Sequence, residues 1–319
     1  MDVLSCEEDG TVLAWAQAAS GDIYRAEGED AAVAQVRAAI ETVLGGGLRF
    51  TRVSGIALRL AGVDWPEDGA YWRRVIAEQW CYEGPFSLAN DGFAGIRLGF
   101  LDGAALAITA GTGIALVARH QRGDEFCLGM WGPDDMGAKG LGIAGYRQVA
   151  LNNLGMAPPT ALSERYVRFF GVEDVPELVH FFTSRARHPF KPLLASAAPL
   201  VTAAALEGDS VACGIVREQA GLLASYARVV ADRVGYSADD ELPVVLSGRV
   251  LRVPDSPVTT ELRRRLLDTF PRADIRVAKL PAVCGAALDV LSERGVALSA
   301  SVVERMTRTM PSAPQLVSV

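Results

Sequence analysis

The sequence has no Cys-x-x-Cys pair; its five cysteines (Cys6, Cys81, Cys127, Cys213, Cys284) are scattered along 319 residues. That spacing supports neither a zinc site nor an iron–sulfur cluster, so no metal is expected on protein ligands, and free thiols suit a cytoplasmic chain. Histidine is scarcer still. His120, His180 and His188 stand apart from one another and read as surface or loop residues. No apolar run reaches the length of a membrane span, because the longest candidates are broken by Gly, Thr or Pro, and no membrane partner is expected. The first residues, Met-Asp-Val-Leu-Ser-Cys-Glu-Glu-Asp, are acidic and lack the basic-then-apolar order of a signal peptide. Positive charge is short as well: the formal net charge of −7 argues against a nucleic-acid partner, which needs a basic face.

What is present is an ordinary globular composition. Half of the residues are hydrophobic and 22% are charged, enough for one large or two medium domains. Apolar alternation predicts strands at Asp2 to Cys6 and Thr11 to Ala18, joined by a Glu-Glu-Asp-Gly turn. Helical spacing covers Asp30 to Leu44, closed by Gly45-Gly46-Gly47. Val53 to Leu60 reads as a buried strand, Gly69 to Trp80 as a helix, and Pro85 to Leu88 as a short strand ending at Asn90-Asp91. A second unit carries Cys127 to Trp131 and a helix from Gly140 to Leu154, followed by helical sequence from Thr160 to Val234 broken by Pro176, Pro189, Pro192 and Pro199. Pro243 to Ser247 and Ile275 to Lys279 are strands, Thr259 to Thr269 and Pro281 to Leu291 helices, and the polar tail after Thr309 is expected to fray. Hairpins followed by βα alternation, twice, point to two related α/β domains.

One hairpin stands out. In Ala107 to Arg119 two apolar runs flank Gly111-Thr112-Gly113, a tip with little side chain and one hydroxyl. Such a tip lets backbone N–H groups approach a phosphate, with Thr112 adding a hydrogen bond. Glycines at a hairpin tip also serve simply as turn formers. The hairpin alone leaves both readings open.

The order of motifs along the chain carries a resemblance. Leu60-Ala61-Gly62-Val63-Asp64, Asn90-Asp91, Ala110-Gly111-Thr112-Gly113, Trp131-Gly132-Pro133 with Gly137 and Gly140, Leu246-Ser247-Gly248, and Pro281-Ala282-Val283-Cys284-Gly285-Ala286-Ala287 follow one another over almost the whole chain. Together they resemble the N-acetylglucosamine kinase/BadF-type ATPase family of the sugar kinase–actin superfamily. The resemblance implies an α/β fold of two ribonuclease-H-like (actin-like ATPase) domains around a central cleft that closes on ATP, Mg2+ and a small-molecule sugar. The first domain would span residues 1–92, completed by a C-terminal helix at 297–310. The second would span 93–296, with a helical insertion at about 155–235. The resemblance also allows a homodimer.

It further implies roles for individual residues. Asp91 matches the catalytic aspartate that takes the proton of a sugar hydroxyl; its competing role is that of a helix N-cap. Asn90 beside it would orient the sugar, and Asp22 falls where relatives carry a sugar-binding Asn. Trp131 and Gly132 match residues lining the sugar site, where an aromatic face stacks on a sugar ring. Gly111, Thr112 and Gly113 match the second phosphate loop, and Gly248 the first glycine of the adenosine loop.

Four departures accompany the match. Where the family carries Asp-Glu-Gly, this chain reads Ala138-Lys139-Gly140, and an unpaired buried ligand hydroxyl there would cost about 1–3 kcal/mol. Arg249 replaces the second glycine of the adenosine loop, and Ile114 replaces a Ser after the phosphate loop. The largest departure is at the front. The family's first strand and its Asp-x-Gly-Gly-Thr phosphate loop have no counterpart, since residue 1 aligns just beyond them; Asp2–Cys6 and Val53–Leu60 would each have an edge facing a gap. Two explanations stand: a functional N-terminus encoded upstream, or a degenerate member that binds sugar or nucleotide without transferring phosphate. A BadF-type ATPase coupled to electron transfer is disfavoured, because no cysteine pair is placed to hold a cluster.

Overall fold

The computed structural model describes the chain apart from residues 46–52, 134, 186–192, 254 and 318–319. Gly46, Gly47, His188, Pro189 and Pro192 therefore lie outside the described residues. Two compact units form: Met1–Ala107, Val117–Gly129 and Ala278–Val319 make unit 1, and Ile108–Leu116 with Met130–Val277 makes unit 2. Residues just after Asp91 and those of Ala282–Glu293 pack with the N-terminal region.

Unit 1 begins with an antiparallel hairpin, β1 (Asp2–Cys6) and β2 (Val12–Gln17). Helix α1 (Glu29–Leu44) buries Val33, Val36, Ile40 and Val43, the stripe its 3.6-residue spacing dictates. Strands β3 (Ile56–Leu60) and β4 (Phe86–Asn90) run parallel, with Leu60 opposite Asn90. Between them α2 (Pro66–Arg74) starts three residues before the expected Gly69, because Pro66 suits a first helical turn and Asp68 accepts the Trp65 amide at 2.8 Å. It continues as a π-helical turn, Val75–Gln79. A 3-10 helix, Asp91–Leu98, follows β4 directly.

Two apolar clusters hold unit 1 together. One joins α1, β3 and the Trp72–Trp80 region, with Met1 and Val3 packed against it; the other gathers Val12, Leu288 and Met306, with Leu4 and Cys6 against it. Alternate residues of β1 thus face opposite layers, as strand geometry requires. Among the described residues β1 pairs only with β2 and β3 only with β4, so each keeps one edge without a strand. The end of the chain is a correction: the tail does not simply fray, because β10 (Gln315–Leu316) pairs parallel with Ala16 and Gln17, and the Val317 amide donates to the Gln17 carbonyl at 2.9 Å. The edge of β2 offers backbone groups that even a two-residue strand can satisfy.

Strands β5 (Ala105–Ala110) and β6 (Ile114–Arg119) form the expected hairpin. With β7 (Glu125–Cys127), β8 (Pro243–Ser247) and β9 (Asp274–Val277) they make a five-stranded sheet in the order β7-β6-β5-β8-β9. Unit 2 adds the helices α3 (Gly137–Asn153), α4 (Leu162–Phe170), α5 (Val175–Thr183), α6 (Ala198–Leu206), α7 (Ser210–Arg233) and α8 (Pro257–Thr269). Helices α9 (Ala282–Glu293) and α10 (Ala300–Thr309) return to unit 1, where α9 packs on both β1 and β3. No single described helix is long and apolar enough to cross a membrane.

Leu288 on α9 is fully buried. Replacing it by Ala is expected to destabilise the protein by about 2–5 kcal/mol, since the cavity adds to the lost transfer energy. Urea unfolding measures this, and a loss under about 1 kcal/mol would contradict the placement of α9 in the core.

Candidate active site

Strands β3 and β4 end side by side, and each is followed by an acidic residue. After β3, Gly62 turns the chain at φ 78°, and a Cβ there would sit 2.5 Å from Asp22 Oδ1. Only glycine lets the buried Asp22 carboxylate approach so closely. Asp22 Oδ1 also accepts the Tyr24 amide at 2.9 Å, and Arg25 lies 3.6 Å from Oδ2. Two residues beyond Gly62, Asp64 accepts a hydrogen bond from Asn90 Nδ2 at 2.9 Å. Asp68 anchors this corner: it accepts the Tyr24 hydroxyl at 2.8 Å and the Asp64 amide at 3.0 Å.

After β4 the cap of the 3-10 helix is Asn90. Its Oδ1 accepts the Gly92 amide at 2.9 Å, and its side chain, 7% exposed, has both polar ends engaged. Asn90, expected to orient a sugar, is thus committed to holding the β4 corner and Asp64. Asp91, whose competing role was the cap, is relieved of it, and the residue is exposed to solvent.

The electrostatics follow from the geometry. Desolvation by the surrounding protein, then the charges of Asp64 and Asp22, push the Asp91 carboxyl up to about 6, with the Gly92 amide partly offsetting them. Asp64 is raised as well, by desolvation first and then by Asp68 and Asp22, against Arg25 and the Asn90 amide. Burial, with Asp64 and Asp91 adding to it, pushes the Cys127 thiol up to about 12, so it stays protonated and inert at neutral pH. Tyr24 is pushed up to about 12 by its bond to Asp68 and remains a phenol.

In unit 2 the hairpin tip is braced by its own backbone. The Gly111 amide donates to the Gly113 carbonyl at 3.0 Å. The carbonyls of Gly111 and Thr112 accept the Ala138 and Lys139 amides at 2.9 Å each, capping the first turn of α3. Gly137, at φ 69°, is required there because a Cβ would meet the Gly113 carbonyl at 2.4 Å. Space over Gly111 and Gly113 is open and Thr112 is exposed, so amide and hydroxyl donors at the tip can meet an anion. Gly248, at φ 84°, lies against the end of β5, where a Cβ would be 2.3 Å from the Ala110 carbonyl, and Thr109 Oγ1 meets Ser247 Oγ at 2.6 Å. Arg249 is exposed at the start of a short helical turn, Arg249–Arg252. Trp131 is 71% exposed, with Gly132 beside it ahead of α3. Lys139 is largely buried, 3.8 Å from Asp135.

The candidate residues thus fall into two sets. Asp22, Asn90 and Asp91 meet in unit 1, and Gly111, Thr112, Gly113 and Gly248 meet at the ends of β5 and β8 in unit 2. Asp64 belongs with the first set, although the sequence reading quotes it only within a motif. Its signal is the repeated arrangement of an acidic residue just past the end of a parallel strand.

The raised titration of Asp91 has a consequence for stability. A native state that holds the proton up to about pH 6 binds more protons than the unfolded chain, in which Asp titrates near 3.9. Stability contributed by this group is therefore full below about pH 4 and is lost as pH rises through 6. Asp91→Asn is expected to raise the melting temperature above pH 6 and to leave it unchanged below pH 4; an equal effect at both pH values would contradict the raised value.

No protein-family model matches the chain, and no curated protein matches it. Solved structures do. A candidate N-acetylglucosamine kinase from Chromobacterium violaceum shares 22% identity over 91% of this chain and 94% of its own, with a TM-score of 0.62. Another candidate N-acetylglucosamine kinase, from Porphyromonas gingivalis, shares 14% identity over 90% and 93%, with a TM-score of 0.63. A ROK-family transcriptional regulator, a homologue of the E. coli MLC protein, is 13% identical over 96% and 79%, with a TM-score of 0.50. At these identities the likeness establishes the architecture: this chain has the α/β sugar kinase/actin-like ATPase fold.

Proposed function

We propose that the protein transfers the terminal phosphoryl group of ATP to a hydroxyl of an amino sugar or related hexose, with Asp91 as general base. The observation that carries this reading is at Asn90-Asp91: Asn90 caps the helix, while desolvation and the charges of Asp64 and Asp22 push the neighbouring Asp91 carboxyl up to about 6. A base with a pKa just below neutral is mostly ionised at pH 7 yet keeps good proton affinity. Asp22 and Asp64, beside it, offer acceptors to sugar hydroxyls.

The hairpin tip fits a nucleotide's phosphates, with Thr112 and the open backbone over Gly111 and Gly113 as donors. Gly248 would let the adenosine lie against backbone. Among the described residues no group of three or more His, Cys, Asp or Glu is placed to hold a metal ion, so Mg2+ would arrive with the nucleotide's own oxygens. When bound, it would neutralise phosphate charge.

Ala138, Lys139 and Arg249 favour a second reading, a sugar- or nucleotide-binding member without transfer. One assay separates the two. Sugar-dependent ADP release by the protein purified from its native reading frame supports the kinase, and Asp91→Asn is expected to lower it about 10²–10⁴-fold while sugar affinity holds. Ligand-dependent thermal stabilisation without ADP release selects the binder. Unchanged turnover in Asp91→Asn removes Asp91 from the chemistry.

A further inference from the structure

The helix that begins at Asp91 is held from behind by a single buried carboxylate. Asp289 on α9 is 2% exposed and binds two guanidinium groups. Its Oδ1 accepts from Arg97 Nε at 2.7 Å, near the end of the 3-10 helix. Its Oδ2 accepts from Arg59 Nε at 2.9 Å, on β3. Arg59 in turn donates to Ser87 Oγ on β4 at 3.1 Å, and its Nη2 lies 3.3 Å from Glu293. Arg97 also donates to the Leu101 carbonyl, and its guanidinium lies over Gly103.

One helical turn before Asp289, the same face of α9 presents Gly285. A Cβ at that position would lie 1.7 Å from the Ala94 carbonyl oxygen, so only glycine lets α9 sit directly on the middle of the Asp91 helix. The strand that ends at Asn90, its neighbour β3, and the helix that starts at Asp91 are therefore referenced to one short stretch of α9. Asp289 and Glu293 together balance the two guanidinium charges, although hydrophobic residues would fill the buried part of such a site at lower cost. Charge pairing of this kind fixes direction and distance in a way that apolar contact does not.

We propose that Asp289, with Gly285, is a positioning element for Asp91, setting where the carboxylate stands by clamping Arg97 and Arg59. The proposal rests on the reading of Asp91 as the base. In wild-type protein, Asp91 faces Asp64, Asp22 and Cys127 from within unit 1.

Two variants disturb the clamp by different means: Gly285→Ala adds bulk without altering charge, and Asp289→Asn removes charge without altering shape. Both are expected to lower kcat at least tenfold with the sugar KM within twofold. Val302→Ala, a buried change on α10, serves as a control of comparable stability loss and is expected to keep kcat. Equal loss of kcat in all three would reduce the clamp to general stability and overturn the proposal. The second readout needs no turnover. The carboxyl carbon of Asp91, followed by NMR, is expected to titrate near 6 in wild type and closer to 4 in Gly285→Ala. An unchanged midpoint in a folded Gly285→Ala protein overturns the proposal, whereas a wild type without transfer but with this shift removes only the kinase reading. If Gly285→Ala does not fold, Asp289→Asn and Arg97→Lys carry the kinetic test, with partial recovery expected for the lysine.

Discussion

Asn90 donates to Asp64 and accepts from Gly92, and through these two bonds it fixes the corner at which two parallel strands end. The amide is suited to this because it both donates and accepts, which a carboxylate cannot do. Its neighbour then carries a carboxylate with no capping duty. The Gly92 amide lowers the proton affinity of that carboxylate, but desolvation and the neighbouring Asp64 and Asp22 outweigh it. Structure and chemistry are divided between adjacent residues.

The same unit uses carboxylates in two opposite ways. Asp289 is buried and faces two arginines, so its charge is matched and its place is set. Asp22, Asp64 and Asp91 crowd together with Arg25 as a nearby counter-charge at 3.6 Å from Asp22. Like charges at one strand end oppose full ionisation, and that opposition raises proton affinity. Such a cluster destabilises the fold that carries it. The two apolar clusters and the clamp on α9 supply the rigidity against which this local strain is held.

Much of the architecture was legible in the residues. Pro243 to Ser247 reads as a strand because Val-Val-Leu follows a proline, and the structure gives the same bounds. The Gly111-Thr112-Gly113 hairpin was equally clear. The pairing of Gln315–Leu316 was not, since a two-residue strand owes its existence to an edge almost 300 residues earlier. The start of α2 was misplaced because the Asp68 side chain, and not an apolar repeat, sets it. At the site, the sequence pointed to Asp91 but offered Asn90 to the sugar and passed over Asp64. Which of two adjacent side chains turns inward to cap is decided by the strand's register against its neighbour, and a linear pattern does not carry that information. Gly285 was visible only within a motif and Asp289 only as part of a helix; their meaning comes from what crosses that helix.

The central claim is that Asp91 acts as the base from a carboxyl tuned to about 6. The pH dependence of kcat/KM for sugar phosphorylation tests it most directly, because that ratio reports the ionisation of the free enzyme. The account predicts a rate that falls on acidification, with a midpoint near pH 6. A profile that stays flat down to pH 5 would contradict it.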